Sequence, residues 1–104
     1  TAVWTTRNPT TWANAHGILS YVLGANVVGG DTVYVSNNHS ESTAFASTFQ
    51  NPGGGPLFII CVDDTGSPEP PTARATTALV KTTGNFGMTF VSNYYYGIEF
   101  RIDF

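Results

Sequence analysis

Apolar residues follow two different rhythms along this 104-residue chain. Over residues 8–24 they recur at spacings of three and four, with Trp12, Ala15, Leu19 and Val22 on one stripe that His16 and Leu23 widen. That is the period of an amphipathic helix. Asn8 suits the cap, Pro9 the first helical position and Gly24 a left-handed stop. Gly17 weakens the helix by about 1 kcal/mol relative to alanine, so the helix needs a surface to pack on.

After Gly24 the rhythm shortens. Residues 27–31 read as a turn, and 32–35 (TVYV) as a short strand with its two valines on one face. A polar stretch follows over 36–43, and Phe45 and Phe49 lie in loose polar surroundings. Residues 51–56 (NPGGGP) break the chain before 57–62 (LFIICV), which reads as a strand buried on both faces at the centre of the core. Residues 63–77 form a loop by composition, rich in proline and unable to support a ladder. Strands are then expected at 78–80, 88–91 and 98–104.

Val33, Phe58, Leu79 and Phe100 begin or centre four of these strands and stand 25, 21 and 21 residues apart. One short strand per 20 to 29 residues suits a coil whose rungs stack about 4.8 Å apart. The expected architecture is therefore mainly β: a short parallel β-helix over residues 31–104, with residues 1–30 contributing a helix that plugs one end. In that plug Trp12, Leu19 and Val22 face the interior. A sandwich with irregular loops is the alternative.

Residues 98–104 (IEFRIDF) alternate apolar and polar without a fault and stop on Phe104 with no turn or polar tail. An uncovered edge strand invites pairing. The expectation is that the chain continues beyond Phe104 or that another subunit docks there. Thr1 in place of Met points to a processed or partial chain.

Composition narrows the function classes. Charged residues make up 11% against an average of about 25%, and 15 threonines with 13% aromatics favour pleated surfaces over helical bundles. A net charge of −3, with its four basic residues scattered at Arg7, Arg74, Lys81 and Arg101, gives no patch for nucleic acid or an anionic membrane. The longest apolar run, six residues, is far short of a bilayer span. The single cysteine, Cys61, has no internal disulfide partner and reads as a small buried hydrophobe.

The order of a helix, then Gly30-Asp31-Thr32-Val33-Tyr34-Val35, a crossing rich in Asn, His, Ser and Glu, Pro56-Leu57-Phe58-Ile59-Ile60 and finally Tyr96-Gly97-Ile98-Glu99-Phe100 resembles the opening of pectate-lyase-like right-handed β-helices. The likeness covers about the whole chain. The crossing at 36–41 (SNNHSE) and the loop at 61–71 (CVDDTGSPEPP) are most similar to tailed-bacteriophage virion proteins, either capsid cement or decoration proteins or tail fibres and spikes. That resemblance implies homotrimers, a place in the virion, and partners among the major capsid or tail proteins. Enzymes sharing the coil carry catalytic Asp, Arg or Lys on later rungs, which this chain lacks, so no catalytic residue transfers to it.

Candidate chemistry is sparse. Asp63 and Asp64 are adjacent and point opposite ways in extended chain, so with Thr65 and Gly66 they read as an Asx turn that ends a strand rather than a glycosidase pair. His39 and Glu41, two apart in a polar loop, can share a face and let the carboxylate orient the imidazole for metal or proton transfer, but a second ligand set is missing and His16 belongs to the helical stripe. Gly53-Gly54-Gly55 has no lysine to make a phosphate cradle. No catalytic residue, metal site or cofactor is expected. Tyr94, Tyr95 and Tyr96 are the candidate interface, with Phe104, because their rings can anchor a partner or stack on a sugar while the hydroxyls stay wet. In a strand Tyr95 faces away from the other two. The expected function is structural: a non-enzymatic virion component acting by self-association and lattice docking. The alternative is the N-terminal part of a glycan-binding or glycan-cleaving β-helix whose groove lies on further rungs.

Overall fold

In a computed structural model of the chain, residues 3–5, 17–25, 27–65 and 73–104 are described. The elements are β1 (Val3–Thr5), α1 (Leu19–Ala25), β2 (Thr32–Ser36), β3 (Ser40–Thr43), β4 (Ser47–Phe49), β5 (Phe58–Val62), β6 (Ala78–Thr82), β7 (Met88–Phe90), β8 (Tyr94–Tyr96) and β9 (Ile98–Ile102). The protein is mainly β, and its strands form three sheets ordered β1-β2-β5-β8, β3-β6-β9 and β4-β7. Only the β1–β2 pair is antiparallel among the named strands; the other five pairings are parallel. Such a set is compatible with a β-helix-like fold.

The register corrects the expected stacking. Val33 lies beside Ile59, one residue from the anticipated Phe58, and Val80 lies beside Phe100. The strand around Leu79, however, pairs with Ser40–Thr43 and not with the strand around Phe58. Two sheets had been folded into one periodicity, because the polar strand β3 and the three-residue strand β4 carry no apolar alternation that marks them as strands. β3 puts Glu41 and Thr43 inside and Ser40 and Ser42 outside, so its inward positions are polar.

A second correction concerns β5. It was expected to be buried on both faces, yet Phe58 is 38% exposed and Ile60 is half-buried, while Ile59 and Cys61 are sealed. One face of this sheet meets solvent. The final strand ends at Ile102, and Phe104 is 95% exposed.

Leu19, Val22 and Leu23 sit at helical spacing and are buried in one core with Val33, Val35, Phe49, Leu57, Ile59 and Val80. They press α1 onto β4. A seven-residue helix is too short to persist alone, so this packing sustains it. Trp12, Asn8, Pro9 and His16 lie outside the described residues. Gly24 was expected to stop the helix, but α1 continues to Ala25, and Gly24 takes no left-handed conformation.

The corners between sheets are tied by amides. Asn51 Nδ2 donates to Gly55 O, Ser92 O and Asn93 Oδ1, each at 3.0 Å. Asn93 Oδ1 also accepts the Leu57 N–H at 3.0 Å, and its Nδ2 donates to Gln50 O at 3.0 Å. This bond set joins the corner before β5 to the corner before β8. Asn93→Ala is expected to cost about 1–3 kcal/mol, because it strips a partner from a backbone donor and from a neighbouring amide. Urea denaturation checks this; an unchanged midpoint would show the ladder to be ornamental. Below it, the Gly29 N–H bonds to Gly53 O at 3.1 Å, and a Cβ on Gly29 would fall 2.2 Å from that oxygen, so the two turns can stack only through glycine.

Candidate docking face and the buried histidine pair

Alternation along β5 and β8 decides where the tyrosines go. Ile59 points inward, and its register partner Tyr95 follows it, so Tyr94 and Tyr96 face out beside Phe58 and Ile60. Phe58 and Tyr94 stack with centroids 5.2 Å apart and planes 12° apart. Tyr94 is 61% exposed and Tyr96 44%. The Arg74 guanidinium carbon lies 5.2 Å over the Tyr96 ring, and the segment carrying it is fixed by a backbone bridge to Val62 and by Ala75 N–H donating to Cys61 O. The result is an aromatic, weakly cationic outer face on an otherwise uncharged sheet.

Tyr95 joins a different group. Buried Phe49 stacks on Phe90 at 5.0 Å, and Phe90, Phe100 and Tyr95 meet edge to face at 4.9–5.8 Å. Burial pushes the Tyr95 phenol above its ordinary value, partly offset by the Asn93 amide. Phe90 is nevertheless 46% exposed and Phe100 only half-buried. This aromatic group lies under β7, β8 and β9, each the last strand of its sheet among the described residues.

His39 and Glu41 do come together, but inside the protein. Their side chains are 0% and 6% exposed, and His39 Nε2 lies 2.7 Å from Glu41 Oε1. The same oxygen accepts the Leu19 N–H at 2.9 Å, so Glu41 caps α1 from a strand 22 residues away. A carboxylate accepts, so Nε2 is the nitrogen that donates to Glu41. Nδ1 is buried without a hydrogen-bond partner among the described residues. The pair therefore positions a helix, with the imidazole locked by the carboxylate.

Asp63 forms the expected Asx turn, accepting Thr65 N–H at 3.0 Å and Thr65 Oγ at 2.7 Å, and these bonds hold its carboxyl below the usual range. Asp64 turns away to accept Ser36 Oγ at 2.6 Å. Among the described residues no group of three His, Cys, Asp or Glu could hold a metal ion, and no helix is long and apolar enough to cross a membrane. Cys61 is buried and free. A shallow groove of about 260 Å³ runs between α1 and β4, walled by the stacked rings of Tyr21 and Phe45. Sequence reasoning missed the capping role of Glu41 and the Asn51–Asn93 bonds; the one signal for those bonds was an asparagine ahead of β5 and another ahead of β8.

No family model, curated protein or solved structure matches this chain.

Proposed function

We propose that the chain is a short right-handed parallel β-helix, plugged at one end by its N-terminal helix, that serves as a structural component of a tailed-bacteriophage virion. It acts as capsid cement or decoration, or as part of a tail fibre or spike, by trimerising and docking on a capsid or tail protein. The observation that carries the coil is the order of the parallel pairs. β2, β3 and β4 are followed by β5, β6 and β7 on the same three sheets, and then by β8 and β9 on the first two. Right-handedness follows the rule for parallel crossovers.

The docking role draws support from the outer ladder of Phe58, Tyr94 and Tyr96, since exposed aromatics are favoured anchors of interfaces. Symmetric lattices multiply such modest contacts. Quantitative mass spectrometry of purified virions tests this. A decoration protein should be present on the order of hundreds of copies and a spike in a few dozen, by lattice symmetry. Absence from washed virions overturns the assignment.

The Arg74–Tyr96 pair favours one second reading, a glycan-binding face, because aromatic planes flanked by a guanidinium suit sugar rings. Chemical-shift changes confined to Tyr94, Tyr96 and Arg74 on adding soluble oligosaccharides would select it.

A further inference from the structure

The outer edge of β9, unpaired among the described residues, carries an order of apolar and charged positions that is the same in both directions. Ile98-Glu99-Phe100-Arg101-Ile102 places Phe100 at its centre, one acidic and one basic residue beside it, and isoleucine at both ends. We propose that β9 pairs antiparallel with β9 of a second copy of this chain, joining the two molecules end to end about a two-fold axis at Phe100. This goes beyond the virion reading and does not depend on it.

The backbone selects that register. Asp103 N–H donates to Thr82 O and Asp103 O accepts from Asn85 N–H, so Asp103 faces β6. By alternation Arg101 and Glu99 also direct their backbone groups to β6, and Ile98, Phe100 and Ile102 direct theirs to the open side. Among the described residues β9 has no strand on that side. Centring on Phe100 puts these three residues at the hydrogen-bonded positions, where each exchanges both bonds with the second copy's Ile102, Phe100 and Ile98. Glu99 then falls opposite the second copy's Arg101 at the non-bonded positions, where side chains approach most closely. Centring on Glu99 or Arg101 would instead set like charges face to face.

Side-chain direction adds to this. Ile98, Phe100 and Ile102 share the inward face of buried Ala78, Val80 and Thr82, yet Ile102 is 39% exposed and Phe100 half-buried. The second copy would extend this inner surface and cover Phe90. Arg101 now bonds to Asp103 at 3.1 Å and Glu99 at 3.5 Å, both exposed pairs along its own strand that can be exchanged for a partner at little cost. Lys81, 3.4 Å from Asp103, remains to hold that carboxylate.

Size-exclusion chromatography with light scattering at about 0.1 mM protein, well above the dissociation constant of a specific interface, should give dimers, or hexamers if trimers also form. Monomers, trimers or open polymers would overturn the pairing. Glu99→Arg and Arg101→Glu each set like charges across both symmetric pairs and should weaken dimerisation by about tenfold or more. Both positions are exposed, and circular dichroism should show each variant folded. Mixing the two single variants should restore association, as should combining both changes in one chain. Loss without rescue would mean that these residues do not face one another.

Discussion

Gly97→Ala is expected to destabilise the protein by about 3–5 kcal/mol, a large share of what a domain of this size possesses. Gly97 makes the corner between β8 and β9 at φ +78°, where an L residue loses about 1–2 kcal/mol. A Cβ there would lie 2.1 Å from Ala75 O and 2.8 Å from the Cys61 Cβ. Neither neighbour is the loose end of a side chain. The carbonyl belongs to the segment that bridges to β5, and Cys61 is sealed in the core. Relief therefore requires the corner to move and β8 or β9 to shift with it. Gly87→Ala is the control, since nothing lies within 4 Å of its added Cβ. It should stay within about 0.5 kcal/mol of the parent in a urea melt. Equal midpoints for the two variants would show that the corner is not packed as described.

Glu41→Ala should cost about 2–5 kcal/mol, because it leaves two buried donors without their acceptor at about 1–3 kcal/mol each. Two donors lose their acceptor at once, the Leu19 N–H that opens α1 and His39 Nε2. His39 already has one unpartnered ring nitrogen, so the variant would bury an imidazole with no hydrogen bond among the described residues. The loss should be felt first in α1. Hydrogen exchange at Leu19, Val22 and Leu23 should quicken more than exchange in β5 or β6. Glu41→Gln keeps an acceptor oxygen of the same reach and should lose only about 1–2 kcal/mol. If the alanine variant loses as little as the glutamine variant, Glu41 is not the cap.

Much of the strand content could be read from side-chain rhythm. β2, β5, β6 and β9 are aliphatic or alternate cleanly, and each lies within two residues of where its pattern placed it. β3 and β4 escaped because Ser40–Thr43 (SEST) and Ser47–Phe49 (STF) are mostly polar, with Phe49 the one apolar side chain in the two strands, so neither shows an apolar alternation. Missing them merged two sheets and produced a period of 21 to 25 residues. The pairs themselves are offset by 26 residues from Thr32 to Phe58, 39 from Ser40 to Leu79 and 20 from Ala78 to Ile98. The loops absorb the difference, so no single period exists to be found.

The candidate surfaces divide in the same way. The opposite facing of Tyr95 and its two neighbours follows from strand alternation, and the Asx turn at Asp63 follows from local side-chain chemistry. His39 and Glu41 were visible as a pair, but their burial and the Leu19 bond were not. A cap normally comes from the residue preceding the helix, and here it arrives from another element.

The chain's own residues determine what is local: strands from β-branched and aromatic runs, turns from Asn, Asp and Gly, and the inward or outward sense of each position. Which strand lies beside which and which acid reaches a helix terminus depend on contacts between residues 20 to 41 apart. Those contacts are decided by joint burial and backbone pairing once the chain has closed on itself. No short stretch contains that information, because none of its residues meets its partner before the fold exists.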